Sequence, residues 1–173
     1  MKHPLYFLTS LLILFTACEE GSLPSADNSL NCTDYWAEVA FSDFCGLTTS
    51  HFDYNDLRFD ICNADQNDTY TFDDRISIRI YNNFSVTNAK EEHDREYDLA
   101  KPVPGFVEYT DIGDEAFANI KTENGFLDMV IMRAIKGQYS LYLEVNGATF
   151  NNANNCLDEN SLLDFARALL APF

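Results

Sequence analysis

The side chains best suited to holding a metal ion are the oxygen-bearing residues between Asn63 and Asp74. Asn63, Asp65 and Asn67 match the first, third and fifth positions of a calcium-type loop, and Asp74 matches the twelfth. Such a loop needs glycine at its sixth position, where this chain has Asp68, and it usually ends on a longer glutamate. We therefore expect no cofactor, with calcium as the alternative.

Residues for catalysis are scarce. The sequence contains no G-x-S-x-G, H-E-x-x-H or G-x-x-x-x-G-K-[ST] segment. His51 starts a predicted loop, and His93 lies in a charged helical run, where we expect a solvated imidazole. With 28 acidic residues, the sequence cannot single out the carboxylate pair of a glycosidase-like hydrolase. We expect a protein that is not an enzyme.

The segment 32–173 contains four cysteines: Cys32, Cys45, Cys62 and Cys156. An even number of cysteines in an exported protein predicts that they are oxidised in pairs, here as two disulfides. Their spacing lacks the C-x₂-C pairs of structural zinc sites. At opposite ends of a continuous helix, Cys32 and Cys45 would lie about 20 Å apart, too far to pair. If the next strand runs back along that helix, Cys62 pairs with Cys32 and leaves Cys45 for Cys156. The third connectivity stays open.

One face of the predicted sheet carries residues of the types that are common in binding interfaces. In the predicted strand Arg75 to Tyr81, alternation places Arg79 and Tyr81 opposite the isoleucines, and Tyr142 faces outward from a later hairpin. With Arg133, these residues form a candidate contact patch, because Arg and Tyr are enriched at interface hot spots. The alternative is that they merely cover the sheet.

Three helices are predicted to flank the sheet. Thr33 can cap the first, whose apolar stripe is Trp36, Val39, Ala40 and Phe44, and Gly46 ends it. The second spans 86–99 and is mostly exposed to solvent. The third carries a stripe that Pro172 ends: Leu162, Phe165, Ala166, Leu169 and Leu170.

Strands are predicted over 57–62, 75–81, 127–135 and 138–145, with one more before the last two. Lys136-Gly137 marks a hairpin between those last two strands. The order α-β-β-α-β-β-β-α indicates an α+β fold with an antiparallel sheet of about five strands. Segment 127–135 is apolar on both faces, so we expect the middle helix to cover it.

A short motif adds a resemblance. Gly113-Asp114-Glu115-Ala116-Phe117 precedes the hairpin, Cys32 precedes a helix and Cys62 lies on the next strand. Over residues 32–173 this pattern resembles a group of small bacterial lipoproteins with a PsbP-like α+β fold, to which Cys45 and Cys156 are additions. The resemblance implies the fold class and no catalytic residues.

The N-terminus predicts export and a lipid anchor. Lys2 precedes an apolar run from Leu5 to Phe15 that is too short to span a bilayer. The following Thr16-Ala17-Cys18 resembles the lipobox of bacterial lipoproteins. We expect a signal peptide over 1–17 and acylation of Cys18, which would attach the protein to a lipid bilayer. The alternative is ordinary secretory cleavage after Ala17, which leaves a free thiol.

The segment 18–31 has the composition of a flexible tether ahead of a single domain over 32–173. Glu19 and Glu20 resemble the surface-export signal of lipoproteins in Bacteroidota. We therefore expect an outer-membrane location, on the periplasmic or the cell-surface face.

The formal net charge of −17 argues against nucleic acid as a partner, because such binders need a basic surface. We expect a non-enzymatic binding or accessory module for a protein or glycan. One alternative is an inhibitor of a cationic secreted hydrolase, which the acidity would steer. Another is a small hydrolase with paired carboxylates.

Overall fold

The computed structural model describes residues 29–55 and 60–173, so the predicted signal peptide, Cys18 and most of the tether lie outside the described residues. Three helices and seven strands occur in the described part, in this order: α1 (Cys32–Glu38), β1 (Phe52–Tyr54), β2 (Ile61–Gln66), β3 (Arg75–Asn82), α2 (Val86–Ala100), β4 (Phe106–Tyr109), β5 (Glu115–Glu123), β6 (Phe126–Lys136), β7 (Tyr139–Asn146) and α3 (Glu159–Leu170). Two short 3₁₀ turns lie over Phe41–Asp43 and Thr49–His51.

The α+β class and the antiparallel sheet are confirmed, but the sheet has seven strands and not about five. The spatial order is β1-β2-β3-β7-β6-β5-β4, and every neighbouring pair is antiparallel. The predicted element order is wrong because it omits β1 and β4. These edge strands have three and four residues, which is too short for an alternation of apolar and polar residues to be recognised in the sequence.

The core lies on one face of the sheet. Ile76, Ile78 and Ile80 of β3 point into it and are fully buried, as alternation predicts. Helix α3 covers this face, and its whole predicted stripe is buried. Leu30 is also buried there, two residues ahead of the predicted domain boundary.

The first helix is shorter than predicted. Asn31, and not Thr33, caps it by accepting a bond from the Asp34 backbone N–H, and the helix ends at Glu38. The chain then turns so that Phe41 is buried while Ala40 is exposed. Burying a phenylalanine contributes about 2 kcal/mol, much more than burying an alanine, so the packing favours the break.

The structure joins Cys32 to Cys62 and Cys45 to Cys156, which is the pairing favoured above. The reason given for excluding a bond between Cys32 and Cys45 is wrong, because no continuous helix separates them. Cys45 and Gly46 instead adopt positive φ, which lets the chain reverse after the 3₁₀ turn.

Helix α2 packs on the opposite, outer face of the sheet, over β5, β6 and β7. This confirms the expected cover for segment 127–135. The hairpin between β6 and β7 is also confirmed, with Lys136 paired to Tyr139 and Gly137 at positive φ in the turn. Beyond α2, the outer face of β3 and β7 is only partly covered, and the candidate contact patch lies there.

Candidate functional site

The contact patch is assembled by the register of three adjacent strands. Arg79 of β3 lies directly opposite Tyr142 of β7, which in turn lies opposite Arg133 of β6. Tyr81 follows two residues along β3, beside Ser140. Because alternate residues share a face, all four predicted patch residues lie on the outer face of the sheet. The four patch residues are neither fully buried nor fully exposed.

Tyr142 lies between two guanidinium groups. Cζ of Arg79 is 5.2 Å from the centroid of the Tyr142 ring, and Cζ of Arg133 is 4.9 Å from it. Both distances fall within the range of cation–π attraction, about 0.5–1 kcal/mol at exposed sites. The Tyr142 hydroxyl donates to Glu144 at 2.6 Å, and burial together with this bond raises the pKa of Tyr142 to about 12. The hydroxyl therefore stays protonated at neutral pH.

The two arginines of the patch differ in their other partners. Arg133 forms an ion pair with Glu96 of α2 at 2.8 Å. Arg79 forms no ion pair with any residue of the described segments. Its guanidinium thus keeps hydrogen-bond donors available for a partner, while the group lies over the ring of Tyr142.

A cleft of about 360 Å³ lies beside the patch, between α2 and strands β3, β6 and β7. We call it the α2 cleft. Its polar and aromatic lining comprises Tyr81, Asn83, Glu92, His93, Glu96, Arg133, Ser140 and Tyr142. Three of the four patch residues therefore line one concavity, and Arg79 lies just beyond it, over Tyr142. A volume of this size is within the usual range for small-ligand pockets, about 300–1,000 Å³.

His93 is not the solvated imidazole that the sequence analysis expects. Its relative exposure is 5%, because it lies on the side of α2 that packs against Phe117 of β5, with ring centroids 5.0 Å apart. The spacing of Ala89, His93 and Tyr97 at every fourth position predicts this buried face, but the charged residues around His93 conceal it.

The His93 ring has one weak polar contact and one unpartnered nitrogen. Nε2 lies 3.9 Å from a carboxylate oxygen of Glu115, and Nδ1 is buried with no hydrogen-bond partner in the described residues. Burial lowers the pKa of His93, and the Glu115 carboxylate offsets only part of this shift. The ring is therefore neutral at pH 7.

The α2 cleft also brings together two carboxylates, which bears on the hydrolase alternative. Glu92 and Glu96 lie one turn apart on α2. Arg95 donates to both of them, and Arg133 forms an ion pair with Glu96. Both carboxylates are thus neutralised by guanidinium groups, an arrangement that orders them and gives neither an evident role in proton transfer.

The calcium-type loop of the sequence analysis does not form. Asn63 and Asp65 lie within strand β2. The backbone there is extended, so it does not form the tight loop that would bring their side chains around one ion. Asp74 is buried, and its two oxygens accept bonds from the Tyr70 hydroxyl and from the backbone N–H groups of Cys156 and Leu157. These three hydrogen bonds account for the burial of the Asp74 carboxylate without a metal ion.

The remaining candidates have structural roles or lie elsewhere. Asn67 accepts bonds from Thr69 within its own turn and donates to the Ser50 carbonyl of a neighbouring loop. His51 accepts a bond from the Thr48 backbone through Nδ1. Within residues 29–55 and 60–173, no group of three or more His, Cys, Asp or Glu side chains is placed to hold a metal ion. The lipidation candidate Cys18 lies outside the described residues.

In the part of the chain that the structure describes, every helix is too short or too polar to cross a bilayer. Comparison with protein-family models, with curated proteins and with solved structures found no match for this chain.

Proposed function

We propose that this chain is an exported lipoprotein, anchored to the outer membrane through an acylated Cys18, that acts as a non-enzymatic binding or accessory module. Its partner is a protein or a glycan, and its binding surface is the contact patch together with the α2 cleft. The proposal leaves the periplasmic and cell-surface faces of that membrane as equal alternatives.

The observation that carries the proposal is the placement of Tyr142 between Arg79 and Arg133 on a sheet face that α2 covers only in part. Tyrosine and arginine contribute much of the energy of binding hot spots, and side chains held in place before binding lose little entropy on contact. Here, neighbouring strands and two cation–π contacts supply that order. A purely structural sheet cover would not need the Arg79 guanidinium, which forms no ion pair with the residues that the structure describes.

Support for the anchor comes from the sequence alone. The short apolar run, the small residue Ala17 and Cys18 form the pattern on which it rests. We expect mass spectrometry of the protein purified from membranes to find acyl chains on Cys18 and no residue before it. A bare thiol at Cys18, or a retained leader, would show the anchor to be wrong while leaving the contact patch untouched.

Photocrosslinking in intact cells tests the binding surface without interference from the lipid. A photoreactive phenylalanine analogue placed at Tyr81 should form adducts with the partner, because Tyr81 borders both patch and cleft. The same analogue at Tyr109, on the far edge strand β4, serves as the control. Equal adduct yields at the two positions, or none at Tyr81, would contradict the proposal.

Arg79→Ala in the same assay should lower the adduct yield at Tyr81 about fivefold, the loss expected for a moderate hot-spot residue. The matched control is Arg75→Ala, four residues earlier on the same strand and the same face, which lies outside the patch. We expect Arg75→Ala to leave the yield unchanged.

A further inference from the structure

The α2 cleft contains hydrogen-bonding groups with spare capacity. Asn83 donates through Nδ2 to the Gln138 carbonyl at 3.1 Å and to the Ser140 hydroxyl at 2.6 Å. These bonds leave the side-chain oxygen Oδ1 of Asn83 and the Ser140 hydroxyl proton without partners among the described residues. The Tyr81 hydroxyl also has no bond to any residue in the described segments. The α2 cleft therefore presents both uncharged hydrogen-bond donors and uncharged acceptors to a ligand.

The charges at the α2 cleft are already paired. Glu96 binds Arg133, and Arg95 binds both Glu92 and Glu96. A charged ligand entering the cleft would meet no free counter-charge on its lining and would have to break one of these pairs. An anion would also be repelled by the net charge of −17. The charge pattern therefore favours an uncharged ligand.

The lining also has an apolar component that suits a ring with one apolar face. The rings of Tyr81 and Tyr142 contribute flat, rigid contact surface, and Ile135 lines the cleft between α2 and the sheet. Tyrosine supplies such surface at low entropic cost and keeps a polar end at the rim. A pyranose ring matches this combination, since it has faces of C–H groups and a rim of hydroxyls that both donate and accept.

His93 gives a second, independent indication. Its side chain is almost wholly buried, lines the α2 cleft and has an unpartnered Nδ1. A buried polar atom without a partner costs about 1–3 kcal/mol, and native structures contain few of them. A ligand hydroxyl that reached this nitrogen from the cleft would remove the cost without adding charge.

We propose that the α2 cleft binds one uncharged sugar residue, so that the partner of this module is a neutral glycan. This inference rests on the proposed function and narrows it, because a protein partner would use the contact patch without filling the cleft. The volume of about 360 Å³ limits the bound unit to one or two rings, with the rest of a longer chain running over Arg79 and the open sheet face.

The test uses the purified full-length chain with both disulfides intact, in a zwitterionic detergent that carries no sugar headgroup. The neutral probes are maltotriose, cellotriose, mannotriose and N-acetylchitotriose, and the charged probes are trigalacturonate and chitosan trimer. Saturation-transfer NMR and calorimetry at millimolar sugar report binding. We expect at least one neutral probe to bind and both charged probes to fail, with an affinity that high salt does not weaken.

Two matched variants locate the site. Tyr81→Phe keeps the ring and removes the hydroxyl, and should weaken sugar binding about fivefold, the value of one hydrogen bond. Tyr97→Phe is the control, because its hydroxyl donates to Glu108 outside the cleft. Binding that both variants leave unchanged would place the sugar elsewhere and overturn the inference.

The outcomes separate this inference from the broader proposal. If no neutral probe binds, or if only charged probes bind, the inference is wrong. Adducts at Tyr81 that still depend on Arg79 would then support the binding module with another partner, a protein if no sugar binds and a charged glycan if only charged probes bind. Failure of both assays would overturn the two together.

Discussion

Tyr142 lies on the open sheet face and His93 lies on the buried side of α2, yet both line the same cleft. Tyr142 is fully provided with partners, through Arg79, Arg133 and Glu144. His93 is buried with one nitrogen unpartnered. The first residue is ordered in advance of binding, whereas the second retains a cost that the fold tolerates.

The pH dependence of stability should reveal His93. Its pKa is lowered in the folded protein by burial, with Lys90 and Arg133 adding to the effect and Glu115 opposing it. The unfolded chain therefore takes up a proton at higher pH than the folded one does. The contribution of neutral His93 to stability is complete above the unfolded pKa, about 6.5, and is lost as pH falls through the folded pKa.

Urea unfolding measured between about pH 7 and pH 5 checks this. We expect the free energy of unfolding to fall more steeply with acidification in the natural protein than in His93→Phe, which keeps a ring against Phe117 and cannot titrate. Parallel curves for the two proteins would show that His93 binds its proton equally well in both states.

At the scale of elements, Asp74 links two distant parts of the chain. It lies directly before β3 and accepts bonds from the backbone of Cys156 and Leu157, just ahead of α3. The Tyr70 hydroxyl completes the set at 2.7 Å. A single buried carboxylate therefore fixes the approach to the last helix, beside the disulfide to Cys45.

Asp74→Ala should destabilise the protein by about 3–5 kcal/mol, because it leaves buried donors without an acceptor. Its neighbour Asp73 provides the control. Asp73 is exposed and accepts one bond, from the Asn154 backbone at 2.7 Å, so Asp73→Ala should cost about 1 kcal/mol or less. Chemical denaturation of both variants compares them; similar losses would show that burial of Asp74 adds nothing.

The elements with strong periodicity could be predicted from the sequence. The alternating β3 strand, the β6–β7 hairpin and the α3 stripe occur within a residue or two of the expected bounds. The edge strands were beyond prediction because a strand of three or four residues shows no pattern. Helix α1 was overextended because tertiary packing of Phe41 overrides a helical stripe that includes Ala40.

The site was predictable in part for the same reasons. Alternation placed Arg79, Tyr81, Arg133 and Tyr142 on one face, but their meeting depends on β3 pairing with β7, which no local pattern encodes. The role of His93 was missed because charged neighbours dominate its segment. The calcium-type loop was expected at Asn63 and Asp65, but both residues lie in β2 and pair with β3. A motif that matches side chains to loop positions cannot show that the segment pairs as a strand.

At the scale of the whole molecule, two disulfides close loops of very different length. The bond between Cys32 and Cys62 spans 30 residues, and that between Cys45 and Cys156 spans 111. A crosslink restricts the unfolded chain more when it closes a longer loop. The longer one therefore contributes more to holding the chain together.

Paired alanine substitutions test this ranking. Cys45→Ala with Cys156→Ala should lower the free energy of unfolding by about 4.8 kcal/mol, and Cys32→Ala with Cys62→Ala by about 3.6 kcal/mol. The difference of roughly 1 kcal/mol is the informative quantity, because each pair removes the same atoms. Equal or reversed losses would mean that native packing around the sulfurs outweighs loop entropy.

The central position of β7 has a consequence for biogenesis. Strand β3 can complete its second edge only with β7, and Cys45 must wait for Cys156, so the N-terminal half cannot finish folding until the last quarter of the chain is present. A polypeptide threaded through a translocon from its N-terminus would thus stay open to chaperones until synthesis is nearly over. If the chain is exported as proposed, such a delay would keep it in a form that can cross a membrane.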